Sequence, residues 1–447
     1  MGLTAKIKSF ILIAGDILIL YLALLATLYL RYQADWPLQW QRHFYPFTII
    51  YFLWLLSFYI IGLYDLRLAR NNFYFFVTLT KAIIINAGLA IAFFYFIPYF
   101  GITPKTNLFI NIAFLTTLFV GWRQFYNRFI KTPALLNNVL IIGQNPEINE
   151  LIKHIRDNPQ LGYRIKKITE LGKVKILHDL INIVAKEKIR LIITTINPRK
   201  NAELARNLYQ CIPLKIAVAD LPAFYEKITG KVPVSVIEEI WFLENLMSGQ
   251  KTIYEGVKRL IDIVAAVIGG FFTILITPLV FLLIKLDGPG PFLYRYKRVG
   301  RDNRIFEVIK FRTMVTDAEK DGAQRTKKDD SRRTRVGKFL KKTRINELPQ
   351  LWNVLKGDMT FVGPRPERPE FAFAADLLEK IPFYQIRHTI KPGLTGWAQI
   401  KFPYGSSVED TLQKLQYDLY YIKNRSFILD IAIILKTVKT ILSGGGK

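Results

Sequence analysis

Long apolar runs at the start of the chain give way to short alternating ones. Residues 10–29, 45–63, 82–100 and 108–122 each hold at most one charged residue. A membrane-spanning helix needs about 20 apolar residues, so four spans are predicted. The fourth run is the shortest and carries Asn111. Between residues 137 and 247 the pattern shortens. "NVLIIG" (138–143), "RLIITTI" (190–196) and "LKIAVAD" (214–220) read as buried strands, with helical segments such as "INELIKHIRDN" (148–158) between them. That alternation predicts a small parallel α/β module. A fifth apolar run, "IVAAVIGGFFTILITPLVFLLI", occupies residues 263–284. Near the end, "FILDIAIILKTVKTIL" (427–442) places Phe427, Ile431, Ile434, Leu435, Val438, Ile441 and Leu442 on one helical face. Asp430, Lys436 and Lys439 fall on the other. Such a helix lies on a membrane rather than crossing it.

Charge narrows the choice of partner. Hydrophobic residues make up 51% of the 447, yet the net charge is +27. Nucleic acid and an anionic membrane surface both suit that balance. The apolar runs favour the membrane, and no nucleic-acid-binding motif accompanies the charge. Lys6 and Lys8 precede the first run, Arg67, Arg70 and Lys81 separate the second and third, and Arg123, Arg128 and Lys131 follow the fourth. The positive-inside rule then puts the N-terminus, the second loop and everything after residue 122 in the cytoplasm. Arg31, Arg42 and Lys105 fall on the opposite side. The N-terminus shows no signal-peptide cleavage pattern. If the fifth run spanned the bilayer, it would export a segment, residues 295–344, with eighteen Lys/Arg against seven Asp/Glu. Thr277-Pro278 offers another course, because proline kinks a helix. A kinked helix can enter one leaflet and return, so a re-entrant hairpin over residues 259–286 is expected.

The α/β module retains only Gly143 of a G-x-G-x-x-G fingerprint. The phosphate-cradling turn of a dinucleotide site is therefore missing, and a structural or regulatory module is expected. The single cysteine, Cys211, excludes an intrachain disulfide and a cysteine zinc site. This suits soluble parts in a reducing cytosol.

The densest chemistry lies in "RINELPQLWNVLKGDMTFVGPRPERPEF" (344–371). Leu348, Leu351, Trp352 and Leu355 fall at i, i+3, i+4 and i+7, the stripe of a one-sided helix. Pro349 fits only in its first turn, so the helix should begin near Asn346, a good N-cap residue. A helix N-terminus offers free N–H groups to phosphate. Arg365 and Arg368 follow on a proline-stiffened loop, and arginine grips phosphate in bidentate fashion. Lys310 and Arg312 sit at the end of a probable strand, "VIKFRTM" (308–314). "KPGLTGWAQI" (391–400) adds a glycine-rich turn and Trp397, which could pack on a base or sugar. Lys341 and Gln399 complete the candidate substrate-binding set. An acid beside a phosphate clamp at a membrane points to phosphoryl chemistry on a diphosphate.

From about residue 254 onward the chain resembles the bacterial sugar transferase family, the monotopic phosphoglycosyl transferases. "KRLIDIVAA", the helix-breaking "TP", "YRYKRVGRDNRIFEVIKFRTM", "NELPQLWNVLKGDMTFVGPRPERPEF", "KPGLTGWAQI" and "YDLYYIKNRS" carry the resemblance, in the family's order over nearly 190 residues. The resemblance implies transfer of sugar 1-phosphate from a UDP-sugar to undecaprenyl phosphate, with release of UMP, early in exopolysaccharide or O-antigen synthesis. It implies Mg²⁺ and an Asp-Glu pair whose Asp attacks the β-phosphorus. Asn346 stands at that Asp position and Glu347 at the Glu, and both are candidate catalytic and metal-holding residues. Two readings stay open. Either the chain is an altered, inactivated variant, or Asn346 is native and the mechanism uses Glu347 as nucleophile or transfers directly. A non-catalytic scaffold of a polysaccharide assembly complex is the alternative from another class. A membrane sugar-nucleotide dehydratase is disfavoured by the missing glycine fingerprint.

The expected fold is a membrane protein of α and α/β parts. It comprises a four-helix transmembrane region (1–135), a Rossmann-like α/β module (136–250) and a monotopic catalytic domain (251–447). The re-entrant helix breaks at Thr277 and Pro278. Expected partners are a UDP-sugar, undecaprenyl phosphate, membrane lipids and a second copy of the chain, not nucleic acid. The expected location is the bacterial inner membrane, multi-pass, with the catalytic domain facing the cytoplasm.

Overall fold

The computed structural model describes residues 5–442 apart from 67, 68, 70, 98, 99, 101–104, 131, 133, 134, 170–179, 248–250, 319–329, 374, 403, 404 and 406. Arg67, Arg70 and Lys131, used above for topology, lie outside the described residues, as do the side chains of Lys6, Lys105 and Leu442. The chain divides into two compact units, residues 1–224 and 225–447.

The first unit opens with four helices, α1 (Ala5–Tyr32), α2 (Trp36–Ile61), α3 (Phe73–Phe96) and α4 (Lys105–Phe129). They match the four predicted runs: all four begin earlier, α1 and α4 also end later, and α2 and α3 end two and four residues short. Their stretches Ile7–Ile61, Phe73–Phe96 and Thr106–Phe129 are long and apolar enough to cross a membrane, as is Thr252–Leu286 in the second unit. Leu24, Phe47, Trp54, Phe58 and Phe119 fill the bundle core. Asp16 and Arg123 are fully buried between α1 and α4. Arg123 pairs with Asp16 and donates to the Leu63 carbonyl at 2.9 Å. Trp122 Nε1 also donates to Asp16, at 3.0 Å. Charges buried in an apolar bundle are costly unless paired in this way.

The same unit carries a four-stranded parallel sheet of order β2-β1-β3-β4. Its strands are β1 (Asn137–Ile142), β2 (Tyr163–Thr169), β3 (Leu191–Thr194) and β4 (Ala217–Asp220). Helices α5 (Pro146–Asp157), α6 (Leu180–Lys186) and α7 (Ala202–Gln210) connect them. The three predicted strands are β1, β3 and β4. β2 was missed because its "YRIKKIT" is polar and half-exposed, as suits a sheet edge. Gly143 adopts φ +112°, and a Cβ there would collide with Thr195. The glycine serves the close approach of β1 and the β3 turn, which accounts for it without a ligand.

Helix α8 (Leu221–Thr229) contains the unit boundary. The sequence placed that boundary at 250/251. The structure moves it earlier because Val232, Val234, Ile237 and Phe242 pack with Tyr384, Leu415 and Leu419 of the second unit.

The second unit is built around α9 (Thr252–Leu286), a 35-residue helix with Pro278 inside it. Strands β5 (Leu293–Val299) and β6 (Ile305–Phe311) form an antiparallel hairpin. Next come α10 (Arg335–Lys342), a 3-10 segment (Ile345–Gln350) and α11 (Leu351–Lys356). Short parallel strands β7 (Thr360–Val362) and β8 (Gly393–Thr395) pair. Helices α12 (Val408–Asn424) and α13 (Phe427–Leu442) close the unit.

Both arms of α9 pack on this one unit. Arg259 donates to the Val354 and Leu355 carbonyls, Asp262 accepts from Thr360 at 2.6 Å, and Ala266 joins a core with Leu351 and Val354. Beyond Pro278, Val280 and Ile284 pack with Phe311 and Leu340, and Asp287 accepts from the Val336 amide at 2.8 Å. Between the arms, Phe271, Phe272, Ile274, Leu275 and Leu279 are exposed. In α13, Asp430 is buried, accepting from Tyr254 at 2.7 Å, Lys258 at 2.6 Å and Tyr421 at 2.8 Å. Ile431, Ile434 and Val438 face outward. Asp430 and Ile433 turn to protein, Lys436 is half-buried and Lys439 exposed, while most of the apolar face meets the surroundings, unlike a helix covering a soluble core.

Candidate active site

The hairpin β5–β6 aligns one wall of a cleft. Opposite residues in an antiparallel pair share a face. Tyr294↔Lys310, Tyr296↔Val308 and Arg298↔Phe306 therefore present Tyr296, Arg298 and Lys310 together. Asn353 pins the next element to this wall: its Nδ2 donates to the Glu307 carbonyl at 2.7 Å, and its Oδ1 accepts from the Ile309 amide at 3.3 Å. The 3-10 segment before it carries Glu347, whose Oε1 accepts from Lys310 Nζ at 3.3 Å and Arg344 at 3.4 Å. A cleft partly open to solvent is lined by Tyr296, Arg298, Lys310, Glu347, Gln350 and Arg365, with Gly393 and Leu394 behind them.

Buried supports hold the proline-arginine loop in place. Arg387 donates to the Arg365 carbonyl at 3.1 Å and pairs with Asp418 at 2.8 Å, both side chains buried. Arg298 donates to the Pro366 carbonyl at 3.0 Å, and the Val299 amide to the Glu367 carbonyl at 2.9 Å. Behind the cleft, a Cβ on Gly393 would lie 2.1 Å from the Gly363 nitrogen, so the β7–β8 approach admits no larger residue.

Electrostatics follow from this crowding. Burial pushes the Glu347 carboxyl up, but Lys310, Arg365 and Arg344 outweigh it and bring the pKa down to about 2. Burial likewise raises Glu367, and Arg387 and Arg298 override it to leave the carboxyl below its usual range. The Tyr296 phenol is raised by burial and lowered further by Lys310, Arg298 and Arg365, for a net fall. Near the cleft, cations outnumber the one lining carboxylate. That environment suits a polyanion such as a diphosphate.

The sequence candidates separate into two groups. Lys310, Glu347 and Arg365 converge on the cleft. Arg368 adjoins it, with its guanidinium 5.9 Å from the Tyr296 ring centre. Asn346 is buried, and its Oδ1 has no hydrogen-bond partner. Arg312 lies elsewhere: it clasps the Ile284, Gly288 and Pro289 carbonyls at the end of α9 and just beyond it. Trp397 is buried, stacks on Tyr420 and donates to the Gly230 carbonyl at 2.9 Å. Lys341 is half-buried on α10, and Gln399 is half-buried with Nε2 unpartnered. None of Arg312, Lys341, Trp397 or Gln399 lines the cleft. The Thr277 hydroxyl donates to the Thr273 carbonyl at 2.7 Å, one residue before Pro278.

The expected N-cap at Asn346 does not form. Arg344, at φ +62°, precedes a 3-10 segment that contains Asn346, and α11 has only six residues. The change from three to 3.6 residues per turn also shifts the apolar stripe. Leu351 and Val354 are buried, while Trp352 is exposed. Tyr296, Arg298, Arg344, Gln350 and Arg387 were missed. Only the alternation in "LYRYKRV" could have flagged the first two.

Residues 253–444 match the family model described as bacterial sugar transferase. The chain is 44% identical over 247 residues to an Aeromonas hydrophila protein named UDP-N-acetylgalactosamine-undecaprenyl-phosphate N-acetylgalactosaminephosphotransferase, covering 55% of this chain and 56% of that one. It is 32% identical over 328 residues to a Klebsiella pneumoniae UDP-glucose:undecaprenyl-phosphate glucose-1-phosphate transferase, covering 67% and 66%. A Caulobacter vibrioides protein of the same name is 40% identical over 193 residues, 42% of this chain and 70% of that one. The chain thus spans just over half of the Aeromonas protein and just under two thirds of the Klebsiella one.

Proposed function

The chain belongs to the bacterial sugar transferase family, and from that premise we propose that it transfers a sugar 1-phosphate from a UDP-sugar to undecaprenyl phosphate, releasing UMP. The observation that carries the reading is the cleft itself, where Glu347 sits among Lys310, Arg344 and Arg365. Cations so placed bind a diphosphate and spread the charge of phosphoryl transfer. The named relatives act on UDP-sugars and undecaprenyl phosphate. The product would feed exopolysaccharide or O-antigen synthesis.

Asn346 offers an amide where the family resemblance implies a carboxylate nucleophile. In this chain Glu347 is the carboxylate lining the cleft. A covalent route would form a bond from a Glu347 oxygen to the β-phosphorus. The bridging P–O bond would break, and its electron pair would leave on UMP. The lipid phosphate would then displace Glu347. Mg²⁺ fits the residues present: the Asn346 Oδ1 is buried without a partner beside Glu347, and Mg²⁺ needs only one or two protein oxygens beside substrate phosphates. Among the described residues no cluster of three or more His, Cys, Asp or Glu exists to hold it alone. When bound, the ion would offset phosphate charge.

The proposed setting is the inner membrane, with the second unit on the cytoplasmic face and α9 re-entrant. The packing of both α9 arms on one unit supports this. A straight helix from Arg259 to Ile284 would run about 38 Å at 1.5 Å per residue, more than the roughly 30 Å hydrocarbon core. Contacts at both ends would then drag the unit through that core.

A second reading, a non-catalytic scaffold, is favoured by Asn346 alone. One experiment separates the two: intact-protein mass spectrometry and UMP release for the native chain and Asn346→Asp across a panel of UDP-sugars. UMP release by the native chain supports the transferase. Release only by Asn346→Asp, with a sugar-phosphate adduct on that residue, supports the scaffold reading.

A further inference from the structure

Tyr296 has no role in the argument so far, yet it lines the cleft beside Lys310, Glu347 and Arg365. It is the only aromatic residue among the lining residues. A ring in a nucleotide cleft would ordinarily suggest stacking on the base. Here the ring is already engaged by cations: Arg298 lies 4.7 Å from its centre, Lys310 5.5 Å and Arg368 5.9 Å. Such contacts hold the ring and its cations together, and the hydroxyl, which accepts a hydrogen bond from Lys310, keeps its own proton to donate. Trp397 cannot take the base-stacking role either, being stacked on Tyr420.

We propose that Tyr296 is a further substrate-contacting residue, whose phenol donates a hydrogen bond to a phosphate oxygen of the nucleoside diphosphate sugar held by Lys310 and Arg365. The inference rests on the nucleotide-sugar reading above. The donor sits where negative charge gathers, and a phenol placed among cations is a strong donor. The groups facing it are Arg298 on β5, Lys310 on β6, Arg365 and Arg368 on the proline loop and Glu347 on the 3-10 segment. Four of these five are cations, so the phenol gives up its proton more readily than a free tyrosine does. The donor is present while the phenol is protonated. It is therefore lost as the pH rises through a value below the usual 10.

The test is calorimetric binding of UDP with Mg²⁺ to the full chain, compared with Tyr296→Phe, which removes one oxygen and keeps the ring. The expected result is binding about tenfold weaker, or about 1.4 kcal/mol, consistent with loss of a hydrogen bond to a charged group. The wild-type advantage should also shrink as the pH is raised toward the usual tyrosine value, and the Phe variant should lack that loss. Equal UDP affinity of the two proteins would overturn the role of Tyr296 while leaving the nucleotide-sugar reading intact. Wild-type protein that binds no UDP would overturn both. Thermal unfolding of both proteins guards against a folding defect. If the Phe variant does not fold, the pH dependence of UDP affinity in the wild type decides: a flat profile from pH 7 to 10 overturns the proposal.

Discussion

Replacing Glu347 with Gln removes the charge that Lys310, Arg344 and Arg365 share, and keeps nearly the same shape. The carboxyl falls from 4.5 to about 2 in the folded chain. At 1.36 kcal/mol per pH unit, that is worth about 3 kcal/mol. The side chain is only 18% exposed, so solvent screening removes little of it. The folded pKa is depressed, so this stabilisation is fully present above about pH 4.5 and is lost as pH falls through about 2. For a domain of roughly 200 residues, about 3 kcal/mol corresponds to about 6–12 °C in Tm. Glu347→Gln should therefore melt that much earlier at pH 7, with the gap narrowing toward pH 3. Added UDP should stabilise the variant more than the wild type, because a bound polyanion replaces the missing counter-charge. Scanning fluorimetry on detergent-solubilised protein measures both. A variant that melts at the wild-type temperature or above would show that the carboxylate is not what neutralises these cations.

Arg365→Ala should weaken UDP binding at least tenfold by calorimetry, since hydrogen bonds to charged groups contribute about 1.5–3 kcal/mol each; unchanged affinity would remove Arg365 from the cleft chemistry. Cysteines introduced at Arg259 and Asp287 should label from the same, cytoplasmic side in cells, and periplasmic labelling of position 287 would rule out the re-entrant helix.

The apolar runs were legible because their signal is length and composition, which no tertiary contact overrides. The β1 and β3 strands were legible because they are buried, and β4, though largely exposed, was legible from its short apolar run. β2, a polar edge strand, carries no such signal. In the site, Lys310, Glu347 and Arg365 were found from local chemistry. Arg312 and Trp397 were assigned by the same logic but are used elsewhere. A guanidinium that satisfies three carbonyls and an indole that finds Gly230 look, in sequence, like ligand-binding residues. Tyr296 and Arg387 depend on strand register and on partners 14 to 72 residues away, which no local pattern encodes.

Asp430 joins α13 to the first arm of α9 through Lys258 and Tyr254, and to α12 through Tyr421. Helices α13 and α9 are thus bolted to one another. Neither can sink or rise without breaking a buried carboxylate's three bonds. On the proposed placement, the cleft is carried at a set height above the lipid, as a gauge block is, and the proposed lipid phosphate would come up to that height to react.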